Sequence, residues 1–265
     1  MAMQKDKGTA LITGASAGIG ALYADRLARR GYNLLLVARD RQRLEAMAER
    51  LSRSYGVEVE VLPADLTDKH ELEHVERRLR GDASISMLVN NAGVVMEGPL
   101  AEADLGKTDQ MMQLNVVAPT LLAASAAANF GAAGRGAIIN LSSVAALAPD
   151  MLSATYCATK AYMLSLSQSL EGELGKLGVR VQAVLPGVTR TEIWERSGAN
   201  LAAIPERMVM EGEVLVDAAL AGFDLGETVT IPSLPDNADW DALMEARSRL
   251  RPNLSHSKPA PRYSR

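Results

Sequence analysis

Cysteine, histidine and large aromatic residues are scarce in this 265-residue sequence, which has one Cys, three His, two Phe and two Trp. The single cysteine, Cys157, excludes an intramolecular disulfide and fits a reducing compartment. The first eight residues carry three charges and no apolar core of a signal peptide, and no run of about 18 apolar residues predicts a membrane span. We therefore expect a soluble, cytoplasmic protein with no membrane partner.

An excess of charge of either sign is also missing. The net charge is −4, and basic and acidic residues are interspersed. No basic patch predicts a nucleic-acid surface, and no acidic run predicts a disordered tail. Because no Pro/Gly/Ser-rich linker divides the chain before its C-terminal end, we expect one large domain with a small-molecule partner.

Short apolar segments alternate with amphipathic segments along most of the chain. The predicted strands are Thr9–Thr13, Leu34–Val37, Val57–Leu62, Ser86–Val89, Gly136–Leu141, Val179–Leu185 and Glu227–Ile231. Helical patterns lie between them, including long ones at Lys107–Phe130 and Thr155–Leu174. This alternation predicts a single-domain, doubly wound α/β fold, in which helices cover both faces of a mainly parallel, seven-stranded sheet.

A glycine-rich turn follows the first predicted strand directly. Glycines can form a tight turn, allow close backbone approach and leave helix N-terminal amides facing a phosphate, as in Rossmann-type domains. An ordinary strand-to-helix turn with spare glycines is the alternative. We expect the turn to bind a dinucleotide through Gly14, Ser16, Gly18, Ile19 and Gly20.

The end of the second strand bears on the choice between NAD and NADP. An acidic residue there would bind the 2′-hydroxyl of NAD, but the strand ends at Ala38 and is followed by Arg39, which can pair with a 2′-phosphate. We therefore expect NADP(H) to be favoured over NAD(H). Asp40, and Ala17 in place of a basic residue in the turn, argue against this choice, and Arg39 could be an ordinary surface arginine.

Two further segments follow predicted strands at the edge where open α/β sheets bind ligands. Asp65, next to Leu66, could accept a hydrogen bond from an adenine amino group, or it could cap the next helix. Asn91, Ala92 and Gly93 follow the fourth strand and would allow close approach of a cofactor, although a simple Asn/Gly turn is the alternative.

Tyr156 and Lys160 are four residues apart, so they lie on one face of the predicted helix. The lysine charge would favour the phenolate and lower the tyrosine pKa from its ordinary value near ~10. Ser143 could then hold the oxygen that receives the proton. By itself, this spacing is more typical of a solvated helix face.

We expect no metal site. His70 and His74 reproduce the spacing of zinc peptidases, but they lie in a segment crowded with charged residues, and the third histidine, His256, is near the C-terminus.

Taken in order, the motifs resemble the short-chain dehydrogenase/reductase family over about residues 9–232. They are Thr13-Gly14-x-x-x-Gly18-x-Gly20, Asn90-Asn91-Ala92-Gly93, Asn115, Ser143, Tyr156-x-x-x-Lys160 and Pro186-Gly187.

The resemblance implies a four-residue catalytic site. Tyr156 would be the acid in reduction and the base in oxidation, and Lys160 would hold the nicotinamide ribose and favour the tyrosinate. Ser143 would orient the substrate oxygen, and its 13-residue separation from Tyr156 favours it over Ser142. Asn115 would position a water that relays protons.

The resemblance also assigns the loop after the sixth strand to the nicotinamide carboxamide, through the backbone of Thr189 and the side chain of Thr191, following Pro186 and Gly187. It further suggests a homotetramer or homodimer with the two long helices at the interface.

The function expected from these features is NADP-dependent interconversion of a carbonyl and a secondary or primary alcohol. A substrate loop at about 191–212 offers Ile193, Trp194, Ile204 and Met208, which suit a mostly apolar substrate but could instead be core or subunit contacts. Two rivals are an NADP-binding regulatory or scaffold protein without turnover and a nucleotide-sugar dehydratase or epimerase, although the latter usually has a longer chain.

We expect residues 1–250 to form the catalytic domain, with an extra helix at about 239–250. The tail, 251–265, would be flexible or would contact a neighbouring subunit.

Overall fold

The computed structural model describes residues 7–96, 98–150, 152–191 and 203–263. Its strands are β1 (Thr9–Thr13), β2 (Asn33–Ala38), β3 (Val59–Pro63), β4 (Ile85–Asn90), β5 (Gly136–Leu141), β6 (Val179–Val184), β7 (Thr189–Arg190), β8 (Met210–Glu211) and β9 (Val229–Thr230). Seven of these form one parallel sheet in the order β3-β2-β1-β4-β5-β6-β9, and β7 pairs with β8. The predicted doubly wound, seven-stranded sheet is therefore confirmed.

Helices follow most of these strands, as the crossovers of a parallel sheet require. They are α1 (Gly18–Arg29), α2 (Arg41–Tyr55), α3 (Lys69–Gly81), α4 (Leu105–Met112), α5 (Ala118–Ala133), α6 (Ala154–Leu174), α7 (Gly212–Leu225) and α8 (Ala238–Leu250). The predicted helix Thr155–Leu174 is α6, which begins one residue earlier.

The core lies on both faces of the sheet, because successive residues of a strand point to opposite sides. In β1, Ala10 and Ile12 pack with residues of α1, α2 and α7, while Leu11 packs with residues of α3, α5 and α6. Strands that are buried on both faces are nearly continuous apolar runs, which is why these strands could be recognised in the sequence.

The winding of the sheet reverses at β1, which lies between β2 and β4. Ligands of open α/β sheets bind in the crevice at such a reversal, beyond the carboxyl ends of the strands. This topology brings the glycine turn after β1 next to the Asn-Asn-Ala-Gly segment after β4.

One expectation about apolar segments is wrong. A single turn of π-helix, Gln113–Val117, joins α4 to α5, so Leu105–Ala133 is one 29-residue helical stretch that by length and hydropathy could cross a membrane. However, Leu122 and Phe130 are buried in the core, and the Asn129 amide donates to the carbonyls of Leu79 (2.8 Å) and Asp82 (2.9 Å). Core helices of soluble proteins pass the same composition test.

The chain divides into two compact units, Met1–Pro232 and Ser233–Arg265. The sheet belongs to the first unit. The second contains α8, none of whose described side chains is buried, and Leu243, Leu250 and Leu254 are exposed there.

Candidate active site

The glycine turn holds β1, α1 and the segment after β4 close together. Gly14 has φ 65°, in the left-handed region, and a Cβ atom at Gly14 would lie 2.8 Å from Asn91 Nδ2. A Cβ atom at Gly20 would overlap the Gly14 carbonyl oxygen and lie 2.5 Å from Asn91 Nδ2. The first turn of α1 has no capping side chain on Ala17, so its backbone amides are available to an anion.

Thr13 fixes the segment that faces this turn. Its hydroxyl oxygen accepts hydrogen bonds from the backbone amides of Asn91 and Ala92, both at 3.0 Å, and donates to the Val89 carbonyl at 3.3 Å. The Asn91 amide group donates to the Thr13 carbonyl at 2.9 Å. The small residues Asn91, Ala92 and Gly93 are thus held at the crevice by bonds that do not involve a ligand.

Arg39 and Asp65 meet at the ends of β2 and β3, with Arg39 Nη1 3.6 Å from Asp65 Oδ2. Burial raises the pKa of Asp65, but hydrogen bonds from the Thr67 amide and hydroxyl, together with Arg39, outweigh it and hold the pKa below its ordinary value. The Arg39 side chain is 68% exposed, so its guanidinium remains accessible at this edge. Leu66, beside Asp65, is buried in the core.

Two acidic residues near this edge, Asp40 and Asp68, cap helices. Asp40 caps α2 by accepting a hydrogen bond from the Arg43 amide at 3.0 Å. Asp68, and not Asp65, caps α3, because its carboxylate accepts from the amides of His70 and Glu71.

Asn115 lies in the π-helical turn between α4 and α5. The buried side chain donates to the Val94 carbonyl at 2.8 Å and accepts from the Val94 amide at 2.9 Å. A Cβ atom at Gly93 would lie 3.1 Å from Asn115 Oδ1 and 3.7 Å from Lys160 Nζ. The absence of a side chain at Gly93 therefore keeps open a space that Asn115 and Lys160 both face.

Lys160 extends from α6 toward the end of β5 and donates to the Leu141 carbonyl at 3.1 Å. The side chain is buried, and removal of its charge from water lowers the Lys160 pKa to about 8. At neutral pH the ammonium form still predominates.

Tyr156 lies one turn before Lys160, and Lys160 Nζ is 5.7 Å from the centroid of its ring. The expectation that the lysine lowers the tyrosine pKa is wrong for the protein by itself. Burial raises the pKa of Tyr156 to about 12, and the opposing effect of the hydrogen bond with Ser143 is smaller. Burial removes water from the side chains of both Tyr156 and Lys160, and this disfavours the charged form of each.

The two serines after β5 have different environments. Ser142 donates to the Lys160 carbonyl at 2.7 Å, which ties the strand end to α6. Ser143 lies close enough to the Tyr156 phenol to lower its pKa, donates to the Pro186 carbonyl at 3.5 Å and accepts from the Ala145 amide at 3.1 Å. The geometry thus brings Ser143, and not Ser142, together with the phenol.

The side chains of Ser143, Tyr156 and Lys160 face a cavity of about 520 Å³. Its polar lining includes Asn91, Ser143, Tyr156, Lys160 and Thr191, and much of the remaining wall is apolar. The apolar wall residues include Ile19, Val94, Val144, Leu152, Val188, Ile204, Pro205 and Met208.

The loop after β6 joins the glycine turn to this cavity. Thr189 donates to the Gly187 carbonyl at 3.1 Å, and Pro186, Gly187, Thr189 and Thr191 all line the cavity. A Cβ atom at Gly18 would lie 3.6 Å from the Thr191 Cβ, so Thr191 packs over the turn. The cradle formed by the glycines, with these groups around it, fits a nicotinamide dinucleotide.

Comparison with known proteins identifies the family. A short chain dehydrogenase family model matches residues 8–202. The chain belongs to the short-chain dehydrogenase family. Like that family's enzymes, it is an NAD(P)-dependent oxidoreductase that acts on carbonyl or alcohol substrates.

Two solved structures are similar over nearly the whole chain. A short-chain dehydrogenase from Sphingobium yanoikuyae in complex with NADPH is 51% identical, with a TM-score of 0.93 over 97% of this chain and 100% of that chain. The bulky-bulky ketone specific alcohol dehydrogenase from Comamonas testosteroni is 46% identical, with a TM-score of 0.90 over 97% and 99% of the two chains. An uncharacterized oxidoreductase from Staphylococcus saprophyticus is 34% identical and covers 69% of this chain and 79% of the relative.

This short-chain dehydrogenase also contains positioning residues that the sequence motifs do not single out. Thr159 donates to the Tyr156 carbonyl at 2.7 Å and accepts from the Asn115 amide at 3.3 Å. Ser153 caps α6 and donates to the Met96 carbonyl at 2.7 Å. The serine three residues before Tyr156 is a helix-start signal, whereas nothing in the sequence indicates the contacts of Thr159.

Part of the predicted substrate loop, residues 192–202 with Ile193 and Trp194, lies outside the described residues. The other two predicted apolar residues, Ile204 and Met208, line the cavity. In the described part of this short-chain dehydrogenase, no group of three or more His, Cys, Asp and Glu side chains is arranged to hold a metal ion.

Proposed function

We propose that this protein is an NADP-dependent oxidoreductase that interconverts a ketone and its secondary alcohol, with primary alcohols and aldehydes as lesser substrates. The observation that supports this most strongly is the convergence of Ser143, Tyr156 and Lys160 on one largely apolar cavity beside the glycine turn. A bound nicotinamide supplies or accepts the hydride.

Tyr156 is the proton donor in reduction and the acceptor in oxidation. Because burial raises its pKa to about 12, the phenol is protonated at neutral pH and can donate to a carbonyl oxygen. Ser143 hydrogen-bonds the same oxygen and orients it. Because the pKa of Tyr156 is raised, formation of the phenolate would by itself be costly. The Lys160 ammonium stabilises the phenolate that remains after proton transfer.

Protons return to Tyr156 from solvent past Lys160 and Asn115. Lys160, with a pKa of about 8, can both release and accept a proton near neutral pH. Asn115 positions a relay water beside Lys160, in the space that Gly93 leaves open.

Five groups of residues hold the dinucleotide. Gly14, Ser16, Gly18, Ile19 and Gly20 hold its phosphates. Asp65, next to Leu66, accepts a hydrogen bond from the adenine amino group, Asn91, Ala92 and Gly93 allow close approach of the cofactor, and Lys160 binds the nicotinamide ribose. Pro186, Gly187, Thr189 and Thr191 hold the carboxamide.

Arg39 sets the preference for NADP(H) over NAD(H). Its exposed guanidinium is available to a 2′-phosphate, and the nearby Asp40 carboxylate is occupied as a helix cap, so it does not compete as a ribose ligand. The NADPH bound by the Sphingobium protein supports the same preference.

The substrate is a ketone that carries two bulky apolar groups. The apolar wall of the cavity favours such a substrate, and the similarity to the Comamonas bulky-bulky ketone specific alcohol dehydrogenase supports it.

We propose a cytoplasmic homotetramer or homodimer formed through α5 and α6. Leu121 and Tyr162 are each 40% exposed on these helices, next to small residues that allow close packing. The tail, 251–265, would contact a neighbouring subunit. Light scattering at several protein concentrations tests this assembly.

Replacement Tyr156→Phe tests the proposed chemistry. We expect wild-type protein to oxidise NADPH with aryl ketones, and we expect the variant to bind NADPH with unchanged affinity while losing turnover by a factor of 10² or more, roughly the contribution of a positioned acid. Full turnover of the variant would refute the role of Tyr156. Tight NADPH binding without reduction of any ketone would instead favour a binding-only protein.

A further inference from the structure

The segment that forms one wall of the cavity is attached to the cofactor loop through Arg190. Residues 203–211 supply Ile204, Pro205 and Met208 to the cavity, and the loop after β6 supplies Thr189 and Thr191. Arg190 lies between these two threonines. Its side chain does not line the cavity, so Arg190 does not itself contact a ligand there.

The guanidinium of Arg190 binds two carboxylates of the wall segment. Arg190 Nε donates to Glu211 Oε1 at 2.7 Å, and Nη2 donates to Glu206 Oε1 at 2.7 Å. Hydrogen bonds with Glu211 and then Glu206 raise the pKa of Arg190, so its charge is permanent. The two carboxylates flank Met208, because Glu206 begins the 3₁₀ turn that contains it and Glu211 ends β8.

Among the described residues, few other backbone hydrogen bonds hold this segment in place. β7 and β8 pair over only two residues, Thr189 with Met210 and Arg190 with Glu211, and the Met210 amide donates to the Val188 carbonyl at 2.9 Å. Met208 is half-exposed, and the 3₁₀ turn Glu206–Met208 has no buried residue. We therefore expect the two ion pairs to contribute to the position of the apolar wall.

We propose that Arg190 is a positioning residue, whose ion pairs with Glu206 and Glu211 set the distance between the apolar substrate wall and the nicotinamide-binding loop. Exposed ion pairs are individually weak and are screened by salt. Binding of a bulky substrate, which must contact Ile204 and Met208, should therefore depend on ionic strength. A small ketone that does not reach this wall should be insensitive.

The kinetic test rests on the proposed function and compares Arg190→Gln with Arg207→Gln. The control removes the same charge from a residue between Glu206 and Met208. For Arg190→Gln we expect KM for a bulky aryl ketone to rise about threefold to tenfold, as loss of weak ion pairs allows, with kcat changed less than about twofold. KM for acetone and the Kd of NADPH should stay within about twofold of wild type.

Salt dependence separates positioning from a general structural effect. Between about 50 mM and 500 mM NaCl, KM of the wild type for the bulky ketone should rise toward the value of Arg190→Gln, while KM of the variant stays constant. Arg190→Lys, which can reach one carboxylate but not both in the same geometry, should give an intermediate KM.

A second measurement does not require turnover. Hydrogen exchange of peptides that cover residues 203–211 should be faster in Arg190→Gln than in wild type and in Arg207→Gln. If Arg190→Gln matches Arg207→Gln in exchange, or in KM and its salt dependence, the proposal is wrong. If the wild type reduces no ketone, the proposed function fails, and the exchange comparison alone decides the role of Arg190.

Discussion

Replacement Gly20→Ala examines whether the glycine turn is built to hold a dinucleotide. The added methyl group would overlap the Gly14 carbonyl oxygen and lie 2.5 Å from Asn91 Nδ2, so either α1 or the turn must move. Overpacking of this kind costs about 1–3 kcal/mol. The helix propensity of alanine returns at most ~1 kcal/mol, so the net change is destabilising.

The shift also opens the cradle that would hold the phosphates. We expect the affinity for NADPH to fall by about tenfold or more, because a helix terminus that moves by a fraction of an ångström loses the geometry of its amide contacts. Fluorescence titration with NADPH measures this affinity, and thermal unfolding measures the stability.

Gly172→Ala is the matched control. Gly172 lies in α6, and a Cβ atom there would meet no atom within 4 Å. Alanine should therefore stabilise this helix by up to ~1 kcal/mol without changing NADPH affinity. If Gly20→Ala binds NADPH as tightly as Gly172→Ala does, the geometric argument for the cofactor cradle is wrong.

Three other replacements test separate parts of the site. Arg39→Ala should weaken NADPH binding more than NADH binding, and an unchanged ratio of the two Kd values would refute the basis of the NADP preference. Lys160→Met should abolish turnover but stabilise the fold at pH 7 by up to about 3 kcal/mol, because burial depresses the folded-state pKa of Lys160 from 10.5 to about 8. Between pH 8 and 10.5 the unfolded state binds more protons, so the unfolding free energy of wild type relative to this variant should rise with pH. Chemical denaturation measures this difference, and a difference that does not change with pH would contradict the prediction. Ser143→Ala should lower kcat on the order of 10²-fold. Ser142→Ala should lower mainly the unfolding free energy, by about 1 kcal/mol. Equal kcat values for the two variants would refute the assignment of Ser143, and not Ser142, to the reaction.

The strands could be predicted because they are buried on both faces. Thr9–Thr13 and Gly136–Leu141 have the predicted bounds, since an uninterrupted apolar run has few alternatives. β3 begins at Val59 and not at Val57, and β9 covers only Val229–Thr230. These two strands form the edges of the sheet, where a single neighbour limits the length of pairing.

The tertiary contacts of the site could be predicted less well. Asn115 is a polar side chain among apolar residues in the sequence, so it needs a partner. The sequence does not identify Val94 and Thr159 as the partners of Asn115, since they are 21 and 44 residues away. The direction of the Tyr156 pKa could not be predicted either, because helical spacing shows the proximity of Lys160 but not the depth of burial that opposes its charge.

The most direct test of the account follows the hydride itself. NADPH deuterated at C4 of the nicotinamide is mixed with a bulky aryl ketone, and the alcohol is analysed by mass spectrometry and NMR. The account predicts that wild-type protein places deuterium on the carbinol carbon when the C4 position that reacts is labelled, and that Tyr156→Phe forms almost no alcohol. Alcohol without deuterium from either labelled C4 position, or labelled alcohol formed at the wild-type rate by Tyr156→Phe, would contradict it.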